Sequence, residues 1–135
     1  MPLENPWRRE PVGSKWRWIW NGWASPAFEE RGWTPRIIGG RLCFSARENG
    51  RWYVVHGDDP GPGFEDAYDT IDYKGQPLFK ARNGDDWFLV WGTMRSQSFP
   101  AQIFFRIEED GTLGVYTVPR GGRRSVRMEV VFEPK

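Results

Sequence analysis

His56, the one histidine of the chain, closes the strand-like run RWYVVHG, where a general base or a metal ligand could sit. Either role needs partners, and no second histidine exists to complete a two-His metal site. The expectation is a strand-end histidine packed beside a turn, in the slot that Asn21 and Trp91 hold in related segments. Cys43, within Leu42-Cys43-Phe44, reads as an inert buried thiol, because no cation cluster beside it would lower its pKa. As the only cysteine it excludes a disulfide within the chain and a Cys-rich zinc site.

Acidic residues gather at Asp58-Asp59, Glu65-Asp66, Asp69 and Asp72, and again at Asp85-Asp86. Paired carboxylates can hydrolyse glycosides, and oxygen-rich loops can hold Ca²⁺. These lack the spacing of a calcium loop and lie among Gly and Pro, which points to solvated turns. No G-x-S-x-G, Walker, H-E-x-x-H or Rossmann glycine pattern occurs. The chain is therefore expected to be non-enzymatic, with no metal and no cofactor.

Arg120-Gly121-Gly122-Arg123-Arg124, Arg127 and Arg8-Arg9 form a basic set near Trp7 and Trp16 that could stack on single-stranded nucleic acid. Nineteen basic against eighteen acidic residues leave +1, so no global field supports that use, and nucleic acid is not the expected partner. The aromatic residues say more. Trp16, Trp18 and Trp20 alternate with Arg17 and Ile19, which places three indoles on one face of a strand. Trp52 and Trp87 are expected in the core. One small core does not readily enclose nine indoles, so some of Trp7, Trp23, Trp33 and Trp91 are expected near the surface.

The elements that position these groups follow a repeat. GRLCFSARENGRWYVVHG (40–57) aligns without gaps to GQPLFKARNGDDWFLVWG (75–92) at a shift of 35, with seven identities in eighteen positions. Composition alone would give about one, and a fixed period marks a repeat architecture. The same shift relates Gly57 to Gly22, and Phe28, Phe64 and Phe99 follow at similar distances. A third copy of the strand pair is expected at 103–118, followed by 125–132. Aromatic and branched residues between turn residues read as strands. Strands are expected near 15–21, 27–31, 35–39, 41–47, 51–56, 66–73, 77–82, 86–91, 102–108, 112–118 and 125–132, with almost no helix. Asn49-Gly50, Asn83-Gly84 and Asp110-Gly111 are the expected hairpin turns, with Gly39-Gly40 and Lys74-Gly75 at the opposite end. The organisation is one all-β domain over 1–135, with units near 15–47, 51–82 and 86–132 behind an extended segment 1–12.

Trp52-Tyr53-Val54-Val55-His56-Gly57, Gly61-Pro62-Gly63-Phe64, Tyr73-Lys74-Gly75, Pro77-Leu78-Phe79-Lys80-Ala81 and Trp87 together resemble the bacterial WD40-like β-propeller repeats of the TolB-associated type. The resemblance covers 40–92 and implies tandem hairpin units stacked like propeller blades. Two departures stand out. Asp72-Tyr73-Lys74-Gly75 replaces the usual Ser-Pro-Asp-Gly turn. A period of 35 is also short beside the ~40–45 residues of a WD40 blade. Closure needs ~4–8 blades, so three units would close only by oligomerising. A closed meander barrel of eight to ten strands is the alternative architecture. Trp20-Asn21-Gly22-Trp23 and Arg31-Gly32-Trp33 are also similar to the Trp-Asp-Gly-x-Gly-Trp stretch of small propeller lectins.

The leading functional expectation is a binding module that presents a Trp/Arg-rich face to another protein or to a second copy of itself. A lectin that stacks tryptophans on sugar is the second reading, and a small-ligand barrel or enzyme built on His56 is the third. The candidate residues are Trp20, Trp23, Trp33, Trp91, Arg47, Arg82, Asp58, Asp59 and His56. No run approaches the ~18 apolar residues of a membrane span, and the first residues carry no signal-peptide pattern. A soluble, cytoplasmic protein with no membrane partner is expected.

Overall fold

The computed structural model describes residues 7–68, 70–118, 122 and 124–134. Among them no residue is helical, and all regular structure is antiparallel β. The chain divides into two compact units, 1–64 and 65–135.

The first unit carries two sheets. β1 (Trp7–Val12), β2 (Lys15–Trp20) and β3 (Trp23–Ala24) form a meander, with Trp7 opposite Trp20 and Arg9 opposite Trp18. Residues 7–12, expected only as an extended segment, pair along their whole length. Pro11 obscures this strand in the sequence, since proline belongs at sheet edges, and β1 is an edge. The second sheet is built on β6 (Arg41–Glu48). β7 (Arg51–His56) runs along one side of it, and β4 (Glu30–Arg31) and β5 (Arg36–Ile38) follow one another along the other. The alternation in β2 works as the sequence implies. Trp18 is buried with Phe28, Leu42, Phe44, Ala46 and Val55, and Trp16 and Trp20 pack against this cluster. Trp16 and Trp18 meet edge to face at 5.7 Å.

The second unit repeats the plan. β8 (Asp66–Ala67) and β9 (Ile71–Tyr73) succeed each other beside β10 (Gln76–Asn83), which pairs with β11 (Asp86–Trp91) and through it with β12 (Met94–Ser96). β13 (Ile103–Ile107), β14 (Leu113–Thr117) and β15 (Val126–Met128) form a further meander, while β16 (Phe132–Pro134) returns to pair with β12. Its core joins Leu78, Leu89, Phe99, Ile103 and Val115.

The repeat is physical as well as textual. Cys43 faces His56 and Glu48 faces Arg51, just as Leu78 faces Trp91 and Asn83 faces Asp86 at the same shift of 35. Trp16, Trp52 and Trp87 exchange backbone hydrogen bonds with Phe28, Phe64 and Phe99. The Ser25 and Ser96 hydroxyls accept the backbone N–H of Trp18 and Leu89 at 2.9 and 2.8 Å, and Gly61 takes the same place in the middle copy. Asn49-Gly50 and Lys74-Gly75 have φ of 52° and 76°, and of 53° and 81°. Those values are the left-handed pair that a two-residue hairpin turn requires.

Several expectations need correction. No sheet closes into a barrel among the described residues. The outermost strands of each sheet, such as β1 and β3, pair on one side only, so the sheets keep open edges. The single strand expected at 66–73 is two short strands, β8 and β9, and 125–132 likewise divides between β15 and β16. Trp52 and Trp87, expected in the core, are half-buried.

Candidate functional site

The first unit holds one recess lined in part by two tryptophans whose indole nitrogens are buried, and its construction starts at Ser45. This residue lies in β6 with only 1% of its surface exposed. Its carbonyl accepts the Gly32 N–H at 2.8 Å and its hydroxyl accepts the Trp33 N–H at 2.9 Å. The chain after β4 is thereby clamped to the sheet. Only glycine fits at position 32, because a β-carbon there would overlap the Ser45 hydroxyl and stand 3.1 Å from the Trp52 ring. The clamp delivers Trp33 to a recess of about 340 Å³ walled by Trp7, Arg8, Arg9, Trp18, Arg31, Gly32, Trp33, Thr34 and Pro35. The cross-strand register that sets Arg9 opposite Trp18 brings a guanidinium-bearing residue and an indole to one face of the first sheet.

Its electrostatics are one-sided. Three arginines line the recess and no acidic residue does among those described. Arg8 reaches Glu10 at 3.5 Å, but Glu10 is held more closely by Arg17 at 2.6 Å, and Arg17 is the main cause of its lowered pKa. Neither Arg9 nor Arg31 forms an ion pair with a described residue. The Nε1 atoms of Trp18 and Trp33 are buried and have no hydrogen-bond partner among the described residues. A buried donor left unmade costs roughly 1–3 kcal/mol, so two in the residues around one recess are a notable expense.

The other expected site residues are already committed elsewhere. Trp20 and Trp23 face each other across the Asn21-Gly22 turn, and the Trp23 indole donates to Asp58 at 2.8 Å. Asp59 accepts the Gly61 N–H and stabilises its own turn. Arg47 lies 3.6 Å from Glu30. Arg82 is held by Asp66, Glu65 and the Gly84 carbonyl. The Trp91 indole donates to the Tyr73 carbonyl at 2.9 Å, and its ring packs on Tyr73 and Phe132.

His56 is buried, with Nε2 2.6 Å from the Ile38 carbonyl and Nδ1 3.2 Å from Arg41. A carbonyl only accepts and a guanidinium only donates, so the ring carries its proton on Nε2 and spends its lone pair on Arg41. That leaves no free base. Burial pushes the Cys43 thiol up to about 12, as expected of an inert core cysteine. Among the described residues no three His, Cys, Asp or Glu side chains gather as a metal site. Asp69, Pro119, Arg120, Gly121 and Arg123, and with them most of the expected basic loop, lie outside the described residues.

Larger recesses exist in the second unit. One of about 800 Å³ is walled by Arg106, Glu108, Asp110 and Arg127 among others, and there Glu108 is engaged by Arg106 and Tyr116 and Asp110 by Thr112. Another of about 720 Å³ includes Trp91, whose N–H is taken. Size alone does not select the site. Comparison with family models, curated proteins and solved structures gives no match. The recess is therefore argued from its own geometry.

Of its residues, Trp33 and the Arg8-Arg9 pair are conspicuous in the sequence as surface indole and basic residues. Trp18 reads there only as part of a core stripe. Nothing in the sequence marks Ser45 and Gly32 as a clamp, because the two meet only once β4 pairs with β6.

Proposed function

We propose that the chain is a non-enzymatic binding module that docks another protein through the Trp/Arg recess of its first unit. The supporting observation is the pair of buried indole N–H groups, unpartnered among the described residues, in a recess that Arg9 and Arg31 also line. Aromatic and arginine anchors in a water-excluding pocket are what interface hot spots use. A catalytic reading finds no free base at His56 and no activated thiol at Cys43. A sugar platform needs an open ring face, whereas all nine tryptophans are buried or half-buried. The propeller-repeat resemblance belongs to this reading as well: the hairpin sheets would act as blades, with the recess formed inside the unit that carries the first two.

Site-specific photocross-linking in the native cell tests the proposal. A benzophenone amino acid replacing Arg9 or Arg31 is expected to trap one discrete protein adduct, and the same group replacing Arg51 to trap none. No adduct from either recess position, or equal trapping from position 51, would overturn it.

A further inference from the structure

We infer that Lys80 is a methylation site, whose ε-amine takes one or two methyl groups from a sulfonium donor and holds them within a cage of Tyr68, Trp87 and Phe104. The site lies in the second unit and is independent of the recess.

Lys80 lies on β10, and its Nζ stands 4.8 Å from the centroid of the Phe104 ring, 5.1 Å from that of Tyr68 and 5.6 Å from that of Trp87. Tyr68 and Trp87 stack on each other at 5.6 Å. Rings grouped in this way around a cation are what recognises methylated ammonium groups. A lysine ammonium carries three N–H groups. One donates to the Ile103 carbonyl at 3.1 Å, and among the described residues no acceptor meets the other two and no carboxylate pairs with the charge. A methyl group on Nζ, about 1.5 Å out and aimed at a ring, would stand about 3.3–4.1 Å from the centroid, an ordinary carbon–carbon contact. Methylation keeps the charge that the ring faces attract, whereas acylation would abolish it. Two methyl groups replace the two N–H groups without acceptors and spare the bond to Ile103; a third would break that bond.

The repeat shows that the cage is an addition to the fold. In the preceding copy Gly32 and Ser45 form the rung that Tyr68 and Lys80 form here: the Ser45 and Lys80 carbonyls accept the Gly32 and Tyr68 N–H at 2.8 and 3.0 Å. The sheet thus needs neither a ring nor an amine at this rung. Tyr68 and Phe104 are 37% and 46% exposed, which sets the cage at the surface, within reach of a transferase. Burial lowers the Lys80 pKa and so raises the share of neutral, nucleophilic amine. In the transfer the Nζ lone pair attacks the methyl carbon of the sulfonium. The carbon–sulfur bond breaks with its electrons staying on sulfur, and the new ammonium releases one proton to water before a second transfer.

The test has two arms. Protein isolated from its own cells is digested and mapped by mass spectrometry. In parallel, the full chain is dimethylated with ¹³C-formaldehyde and a borane reductant, and its methyl signals are recorded by NMR, with Lys80→Arg for assignment. The cellular protein is expected to carry mono- or dimethyl-Lys80. Lys15, bound to Glu48 at 2.7 Å, and Lys74, placed over the single ring of Tyr73, are expected to be unmodified. In the second arm the dimethyl-Lys80 signals should lie upfield of those from Lys15 and Lys74, shifted by the ring currents of the cage. Phe104→Ala should move them part of the way back, and because Phe104 is exposed this variant is expected to stay folded. A bare, trimethylated or acylated Lys80 in the cellular protein, or equal methylation at Lys15 or Lys74, would overturn the inference. So would a Lys80 that formaldehyde does not reach, or methyl signals that coincide with those of the other lysines.

Discussion

Gly32→Ala should destabilise the first unit far more than a single methyl ordinarily does. The backbone at position 32 is not in the left-handed region, so the substitution meets no conformational penalty of its own. What it meets is Ser45, whose β-carbon would be 2.8 Å away and whose hydroxyl would overlap the new methyl. Ser45 is buried, so it cannot swing into solvent. Relief requires the loop to lift, and overpacking of this kind costs about 1–3 kcal/mol. Losing the Ser45–Trp33 hydrogen bond adds about 1 kcal/mol. The total is about 2–4 kcal/mol, read by urea denaturation followed through tryptophan fluorescence. Ser45→Gly removes both clashing atoms. The double variant should therefore be about 1–2 kcal/mol more stable than the sum of the two single losses. If Gly32→Ala unfolds within about 0.5 kcal/mol of the parent, or if the two substitutions are additive, the clamp is not what holds Trp33.

Other consequences are equally direct. Ser25→Ala and Ser96→Ala each leave one buried backbone N–H unpaired and should each cost about 1–3 kcal/mol in denaturant titrations. Cys43 should resist a thiol reagent at pH 8 in the native protein and react fully once urea unfolds the chain. The Glu10 carboxyl, held below its ordinary 4.5 chiefly by Arg17, supports the fold above that pH and stops doing so as pH falls through the depressed value. Relative to Glu10→Gln, the parent should lose stability more steeply below pH 4.5 in acid titrations followed by circular dichroism.

The repeat was legible because it lives in residues whose types are local instructions. Asn49-Gly50 and Lys74-Gly75 name their turns, and Trp52 and Trp87 keep the same place in consecutive strands. Cys43 was placed correctly because Leu78 stands at the matched position in the next copy. The recess was harder to see. Its donors come from β1, β2 and the chain after β4, which only tertiary pairing brings together. Trp18 shows the difficulty: alternation marks it as core, where it lies, and only the structure shows that its nitrogen has no partner among the described residues. Conversely Trp23, Trp91, Arg82 and Asp59 look available in sequence because no local signal shows that Asp58, Tyr73, Asp66 and Gly61 already engage them.

The most direct measurement is the photocross-linking comparison across the first unit. The account predicts one discrete protein adduct from position 9 or 31, beside the recess, and none from position 51. No adduct from either recess position, or equal trapping from position 51, would contradict it.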